Sequence, residues 1–214
     1  MKSPRAIIAL AVLLTTTAVQ AAKVDMRDPR RAVGREDDVR VDAELVQDSV
    51  STHSKVGVVY QIQNLRTSSI AIADKISDAT YDAETQTITI SFGAEVPEGA
   101  TMPHLVVIPA GEKKTFRGVG AVNIQVPSVR SPFVPVPQFV QIKVTVLRDL
   151  QSFTPLIEQQ NKSAAAPALS NEAFDRWVDS VASVFLNVIP VRWDGKTRND
   201  NGVDAEQSQP GADF

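Results

Sequence analysis

Between Val39 and Leu147 the chain repeats one pattern, in which apolar and polar residues alternate over short runs that end at residues typical of turns. A period of two predicts a β-strand that buries one of its faces. The first such run is 39–45 and the last is 139–147. Between them the pattern predicts strands at 55–63, 70–72, 87–92 and 105–108, a strand that starts at 115, and a further strand at 121–126. A hairpin turn is predicted at 82–85.

The segment VVIPAGEKKTF, residues 106–116, shows how the chain leaves one strand and enters the next. Pro109 cannot donate a backbone hydrogen bond to a sheet, and Gly111 tolerates the backbone conformations of tight turns. Lys113 and Lys114 are charged and favour a turn that lies in water. The segment is therefore predicted to form a strand, an exposed turn and the start of a second strand.

Short strands joined by turn signals, with no convincing helix among them, indicate a mainly β domain at 39–150. The predicted fold is an antiparallel β-sandwich of two sheets. Sandwich domains of this kind have about 100 residues and a similar pattern of short strands. An antiparallel barrel is the alternative.

Two motifs in this domain resemble those of bacterial immunoglobulin-like (Ig-like) and fibronectin-like sandwich modules. One is VVYQIQNL, a strand that closes on Asn64, and the other is the hydrophobic-Pro-x-Gly-Glu turn of VVIPAGEKKTF. The resemblance covers the middle of the chain and implies an Ig-like fold for 39–150. It implies no particular activity, because such modules perform many unrelated functions.

The amino end has the pattern of a secretory leader. Lys2 and Arg5 precede the apolar run Ala6–Leu14, and small residues follow up to Ala21. The predicted leader is 1–21, and a polar segment, 22–38, follows it. The apolar run is far shorter than the ~20 residues that cross a bilayer as a helix, so removal of the leader is favoured over a membrane anchor, with no transmembrane segment afterwards.

The chain contains no cysteine, and so offers no lipid-attachment site, disulfide or thiolate ligand. With a leader, this composition predicts a periplasmic or secreted protein. The net charge is −3, and the arginines at 27–35 alternate with acidic residues, so nucleic acid is not an expected partner.

The carboxyl third changes character. Segment 151–170 is predicted to be a short helix and a small-residue linker, 171–190 an amphipathic helix ended by Pro190, and 194–214 a disordered tail. Apolar side chains recur at helical spacing in the predicted helix: Phe174, Trp177, Val178, Val181 and Phe185. An apolar helix face of this size must pack against another protein surface, because its exposure to water favours docking or aggregation. Packing onto the chain's own sandwich is preferred, and insertion into a groove of another protein is the alternative.

Two segments are candidates for contact with a partner. The first is the proline-rich loop PSVRSPFVPVPQF, in which Arg130 and Phe133 are the candidate contact residues. Prolines lower the entropy that a loop loses on binding. The preferred alternative for this loop is a polyproline-like crossover between the sheets, or a cover over a sheet edge that prevents strand pairing. The second segment is the predicted helix, whose candidate contact residues are Phe174, Trp177, Val181 and Phe185.

The sequence shows no arrangement typical of a catalytic, cofactor or metal site. The two histidines, His53 and His104, lie far apart and outside any metal-binding motif. The predicted function is therefore that of an exported, non-enzymatic protein that binds another envelope or secreted protein as an accessory factor, assembly factor or adaptor. A carbohydrate- or peptide-binding module is the alternative, and an enzyme with a dispersed site is less favoured.

Overall fold

A computed structural model describes residues 28–97, 101–124, 135–163 and 165–194. The predicted leader, the candidate residues Arg130 and Phe133, and all of the predicted tail after Asp194 lie outside the described residues.

The described residues form strands and two α-helices in the following order. The amino-terminal strands are β1 (Arg31–Glu36), β2 (Val39–Leu45), β3 (Ser49–Val50), β4 (Lys55–Asn64), β5 (Ile70–Ala73), β6 (Ser77–Asp82) and β7 (Thr87–Phe92). They are followed by β8 (Leu105–Ile108), β9 (Lys113–Ala121), β10 (Phe139–Leu147), a 3₁₀ turn (Gln151–Phe153), α1 (Thr154–Lys162), α2 (Asn171–Ser180), β11 (Val181–Phe185), β12 (Ile189–Pro190) and β13 (Arg192–Trp193).

The alternating pattern correctly predicted a mainly β chain. The runs 39–45, 105–108 and 139–147 are strands with the predicted bounds, and their buried residues follow the period of two along β2 and most of β10. The predicted hairpin is also confirmed, with its turn between β6 and β7. The predicted strand at 121–126 is wrong over its described part, since Ala121 is the last residue of β9 and Val122 to Ile124 are not in a strand; positions 125 and 126 lie outside the described residues.

The strands form two large sheets with mixed pairing. The first sheet has the order β1-β2-β4-β9 and is antiparallel throughout. The second has the order β6-β7-β10-β5-β8, with β11 and β12 also paired to β10. Within it β7 and β10 run parallel, so the prediction of a purely antiparallel arrangement is wrong. The physical reason is that β8 and β9 intervene, and this long connection lets the chain enter β10 from the end where β7 began.

The inner faces of the two sheets share one hydrophobic core. Within it the Tyr60 ring of β4 stacks on Phe92 of β7 and on the half-buried Phe116 of β9, with ring centroids 4.6 and 5.3 Å apart. Gly118 of β9 permits this contact, because a Cβ there would lie 2.2 Å from Cε1 of Phe92. The aromatic stack therefore joins the two sheets.

Asn64 joins the two motifs that carry the resemblance. Its side chain is fully buried, and Nδ2 lies 2.9, 3.1 and 3.0 Å from the carbonyl oxygens of Ser68, Ile108 and Pro109. Its Oδ1 accepts a bond of 3.0 Å from the Arg66 backbone N–H. The end of β4, the loop after it and the turn at Pro109 are therefore held by one side chain.

Two predicted segment boundaries need correction. The polar segment 22–38 contains strand β1, which pairs with β2 along its whole length; its charged residues lie on the exposed side and obscured the alternation. The predicted helix 171–190 ends at Ser180, and the chain continues as β11, which pairs antiparallel with β10. Ser170 caps the helix by accepting a bond of 3.2 Å from the Ala173 N–H.

A second, smaller core lies where α2 and the 3₁₀ turn pack against the outer side of the second sheet. Trp177 contacts Phe153 edge to face, with ring centroids 5.7 Å apart, and its Nε1 donates a 3.2 Å bond to the Ala94 carbonyl. Along the part of the chain that the structure describes, no helix is both long enough and apolar enough to traverse a membrane.

Strand edges are covered by neighbouring parts of the chain. At the outer edge of β8, the Gln160 side chain of α1 accepts from the Leu105 N–H and donates to the Leu105 carbonyl, at 3.2 and 3.1 Å. On the other side of the molecule β11 packs closely against β1. A Cβ on Gly34 would lie 2.5 Å from the Phe185 carbonyl oxygen. The Gln160 bonds occupy backbone groups of Leu105 that would otherwise be free to pair with another strand.

Candidate functional site

The predicted contact residues of the carboxyl third do not form one surface. Trp177 is only 1% exposed and is committed to the second core, so it is not available to a partner in this structure. Phe174 and Val181 are half-buried. Phe185 lies on a strand, and this separates it from the helix with which the sequence grouped it.

Phe185 is nevertheless exposed, with 54% of its surface accessible. It lies directly opposite Lys143 in the pair of β10 and β11. The Lys143 Nζ is 5.3 Å from the centroid of the Phe185 ring, within the range of a cation–π interaction. The ring is therefore an exposed apolar group carried by a paired strand.

A polar network fixes the lysine beneath this ring. The Glu95 carboxylate pairs with Lys143 and also accepts a bond of 3.0 Å from the Ser183 hydroxyl. The bond from Lys143, and then the one from Ser183, hold the pKa of Glu95 below its ordinary value, so the carboxylate is ionised at neutral pH.

The neighbours of Phe185 on the outer face of the second sheet are polar. Strand alternation and register place Thr89 of β7 and Gln141 of β10 on the same outer face as Lys143 and Phe185. We call these four residues the Phe185 surface. The Phe185 surface therefore presents one aromatic side chain among polar neighbours.

The histidines lie apart from this surface. His104 Nδ1 is 2.7 Å from Asp74 Oδ1, and His53 is in the loop before β4. Among the residues that the structure describes, no three acidic, histidine or cysteine side chains are grouped so that they could hold a metal ion.

A groove that the sequence did not indicate lies between the loop after β4, the end of β10 and α2. Its volume is about 350 Å³, and its charged lining residues are Arg66, Arg148, Asp149, Arg176 and Asp179. An adjoining lobe of about 530 Å³ shares Arg66, Arg148 and Asp149. We call this the arginine groove. Its residues come from three separate segments, and for this reason no local motif could have revealed it.

Two of the three arginines already have acidic partners. Arg148 pairs with Asp37, and Arg176 pairs with Glu172 across one turn of α2, with Nη2 and Oε1 2.8 Å apart. Arg66 has no acidic partner within 4.0 Å among the described residues, and its buried Nε has no hydrogen-bond partner there. The groove therefore contains one guanidinium whose charge is not balanced by a direct contact.

Comparison with known proteins gives no relative from which a function could be transferred. No protein-family model matches the chain, and neither a curated protein nor a solved structure is significantly similar to it.

Proposed function

We propose that the chain is an exported, non-enzymatic Ig-like β-sandwich module that acts by binding another envelope or secreted protein as an accessory factor, assembly factor or adaptor. The Ig-like assignment is supported by two sheets that share a core and by the contact between Asn64 and the turn at Pro109. The parallel pair of β7 and β10 is a departure from a purely antiparallel sandwich.

The exposure of Phe185 is the observation that carries the proposed function. Aromatic residues are enriched among the few side chains that dominate protein–protein binding. Burying the exposed half of this ring would contribute about 1 kcal/mol from area alone, before any specific contact. The paired strand and the lysine beneath it hold the ring in place, and this reduces the entropy lost on binding.

A photo-crosslinking amino acid at position 185 tests the proposal in cells that export the tagged protein. We expect irradiation to give a discrete covalent adduct with one envelope or secreted protein, identified by mass spectrometry. Position 46 is the matched control, because Val46 is an apolar residue that is 61% exposed at the end of the first sheet. Absence of an adduct at 185, or the same adducts at both positions, would contradict the proposal.

A further inference from the structure

We propose that the arginine groove binds a zwitterionic ligand, either a free amino acid or a short peptide with free termini. In this assignment Arg66 binds the ligand carboxylate, and Asp149 and Asp179 bind its ammonium group. The site is separate from the Phe185 surface, so the inference does not rest on the proposed function.

The charges of the groove support a ligand that carries both signs. Arg148 and Arg176 are neutralised by Asp37 and Glu172, which leaves Arg66 as the arginine without a direct acidic partner among the described residues. Asp149 and Asp179 have no basic partner within 4.0 Å in the described ranges. A groove that carries charges of both signs outside direct ion pairs disfavours a polyanion and fits a ligand with one carboxylate and one ammonium group.

Arg66 is positioned for carboxylate recognition. Its backbone N–H is held by Asn64 Oδ1 at 3.0 Å, which fixes the start of the loop that carries it. A guanidinium offers paired donors that match a carboxylate, and such charge-assisted bonds are stronger than neutral ones.

One of the two carboxylates of the groove is held by a hydrogen bond, and the other is placed by its helix. Asp149 Oδ1 accepts a bond of 3.0 Å from the Gln151 N–H, so this carboxylate is held at the beginning of the 3₁₀ turn. Asp179 lies in the last turn of α2, one residue before Ser180, whose carbonyl accepts a 2.8 Å bond from the Arg148 N–H. The groove of about 350 Å³ and its adjoining lobe of about 530 Å³ leave room for a ligand longer than one residue.

NMR titration of the ¹⁵N-labelled protein with alanine, Ala-Ala and Ala-Ala-Ala tests this assignment. We expect at least one of the three compounds to shift the Arg66 Nε–Hε signal saturably. The compound that binds most tightly shows whether the ligand is an amino acid or a peptide. Acetylating the amino end or amidating the carboxyl end of that ligand should each weaken binding about tenfold or more. Absence of saturable binding by all three, or a blocked form that binds as tightly as the zwitterion, would overturn the proposal.

Paired variants separate the two halves of the site. Arg66→Gln should weaken the zwitterion about tenfold and leave the carboxyl-amidated form unaffected, whereas Asp179→Asn should leave the amino-acetylated form unaffected. Arg117→Gln on β9 and Asp175→Asn on α2 remove the same charges outside the groove and should not change any affinity. Equal losses in the groove variants and these controls would contradict the assignment.

Discussion

Replacing Asn64 with alanine is expected to lower the free energy of unfolding by about 3–5 kcal/mol. The amide shares its two hydrogens among the carbonyls of Ser68, Ile108 and Pro109 and accepts one bond from the Arg66 N–H. Alanine would leave these groups without their partner in a place where Asn64 is 0% exposed. Urea unfolding measures the change as a shift of the transition midpoint.

Two further variants separate the lost hydrogen bonds from a general effect of the substitution. Asn187→Ala makes the same chemical change at an exposed position and should alter stability by no more than about 0.5 kcal/mol. Asn64→Asp keeps the size of the side chain but turns the donor into an acceptor facing three carbonyl oxygens, so it should destabilise at neutral pH at least as much as alanine. A loss for Asn64→Ala no larger than for Asn187→Ala would show that the side chain does not hold these segments together.

Replacing Trp177 with alanine is expected to cost about 3–5 kcal/mol, the range of large-to-small substitutions of buried aromatic residues. The ring fills the second core against Phe153, and its Nε1 bonds the Ala94 carbonyl. Without it, α2 and the 3₁₀ turn lose the main apolar contact that holds them on the second sheet. Thermal unfolding measures the loss, and limited proteolysis should show faster cleavage near 150–180.

The neighbouring residue gives a matched control for this substitution. Val178 is 42% exposed on the same helix, so Val178→Ala should cost less than about 1 kcal/mol. Trp177→Phe keeps most of the apolar contact and loses the bond to Ala94, so its cost should lie between the two. If Trp177→Ala were no more damaging than Val178→Ala, α2 would not be docked as the structure describes.

Much of the fold could be predicted because it depends on local alternation. In β2, β7, β10 and β4 as far as Ile62, every second residue is apolar and buried in the common core, and so the sequence carries the strand pattern directly. The turn at Pro109 was likewise readable from residue chemistry. Strand β1 was missed because only Ala32 and Gly34 of its six residues are buried, and most of the rest are charged.

The junction between α2 and β11 shows why periodicity alone can mislead. Val181 and Phe185 are four residues apart, and this spacing places two side chains on the same side of a helix and also of a strand. The prediction extended the helix through both. The β-branched Val181 and Val184 favour a strand, and pairing of β11 with β10 satisfies its backbone.

The contacts between distant segments could not be predicted from the sequence. The parallel pair of β7 and β10 depends on how the chain crosses between sheets, and no local pattern encodes that path. The arginine groove combines Arg66, Arg148 and Arg176 from segments far apart in the chain. The exposure of Phe185 depends on where α2 ends. That boundary, at Ser180, is known only from the structure.

The affinity of the partner crosslinked at position 185, measured by calorimetry with purified protein, tests the proposed function most directly. Phe185→Ser should weaken binding about tenfold or more, as expected for the loss of an aromatic anchor, while Val46→Ser should bind like the unmodified protein. Equal affinity for Phe185→Ser and the unmodified protein, with both folded to the same unfolding midpoint, would contradict the proposal that this protein acts through the Phe185 surface.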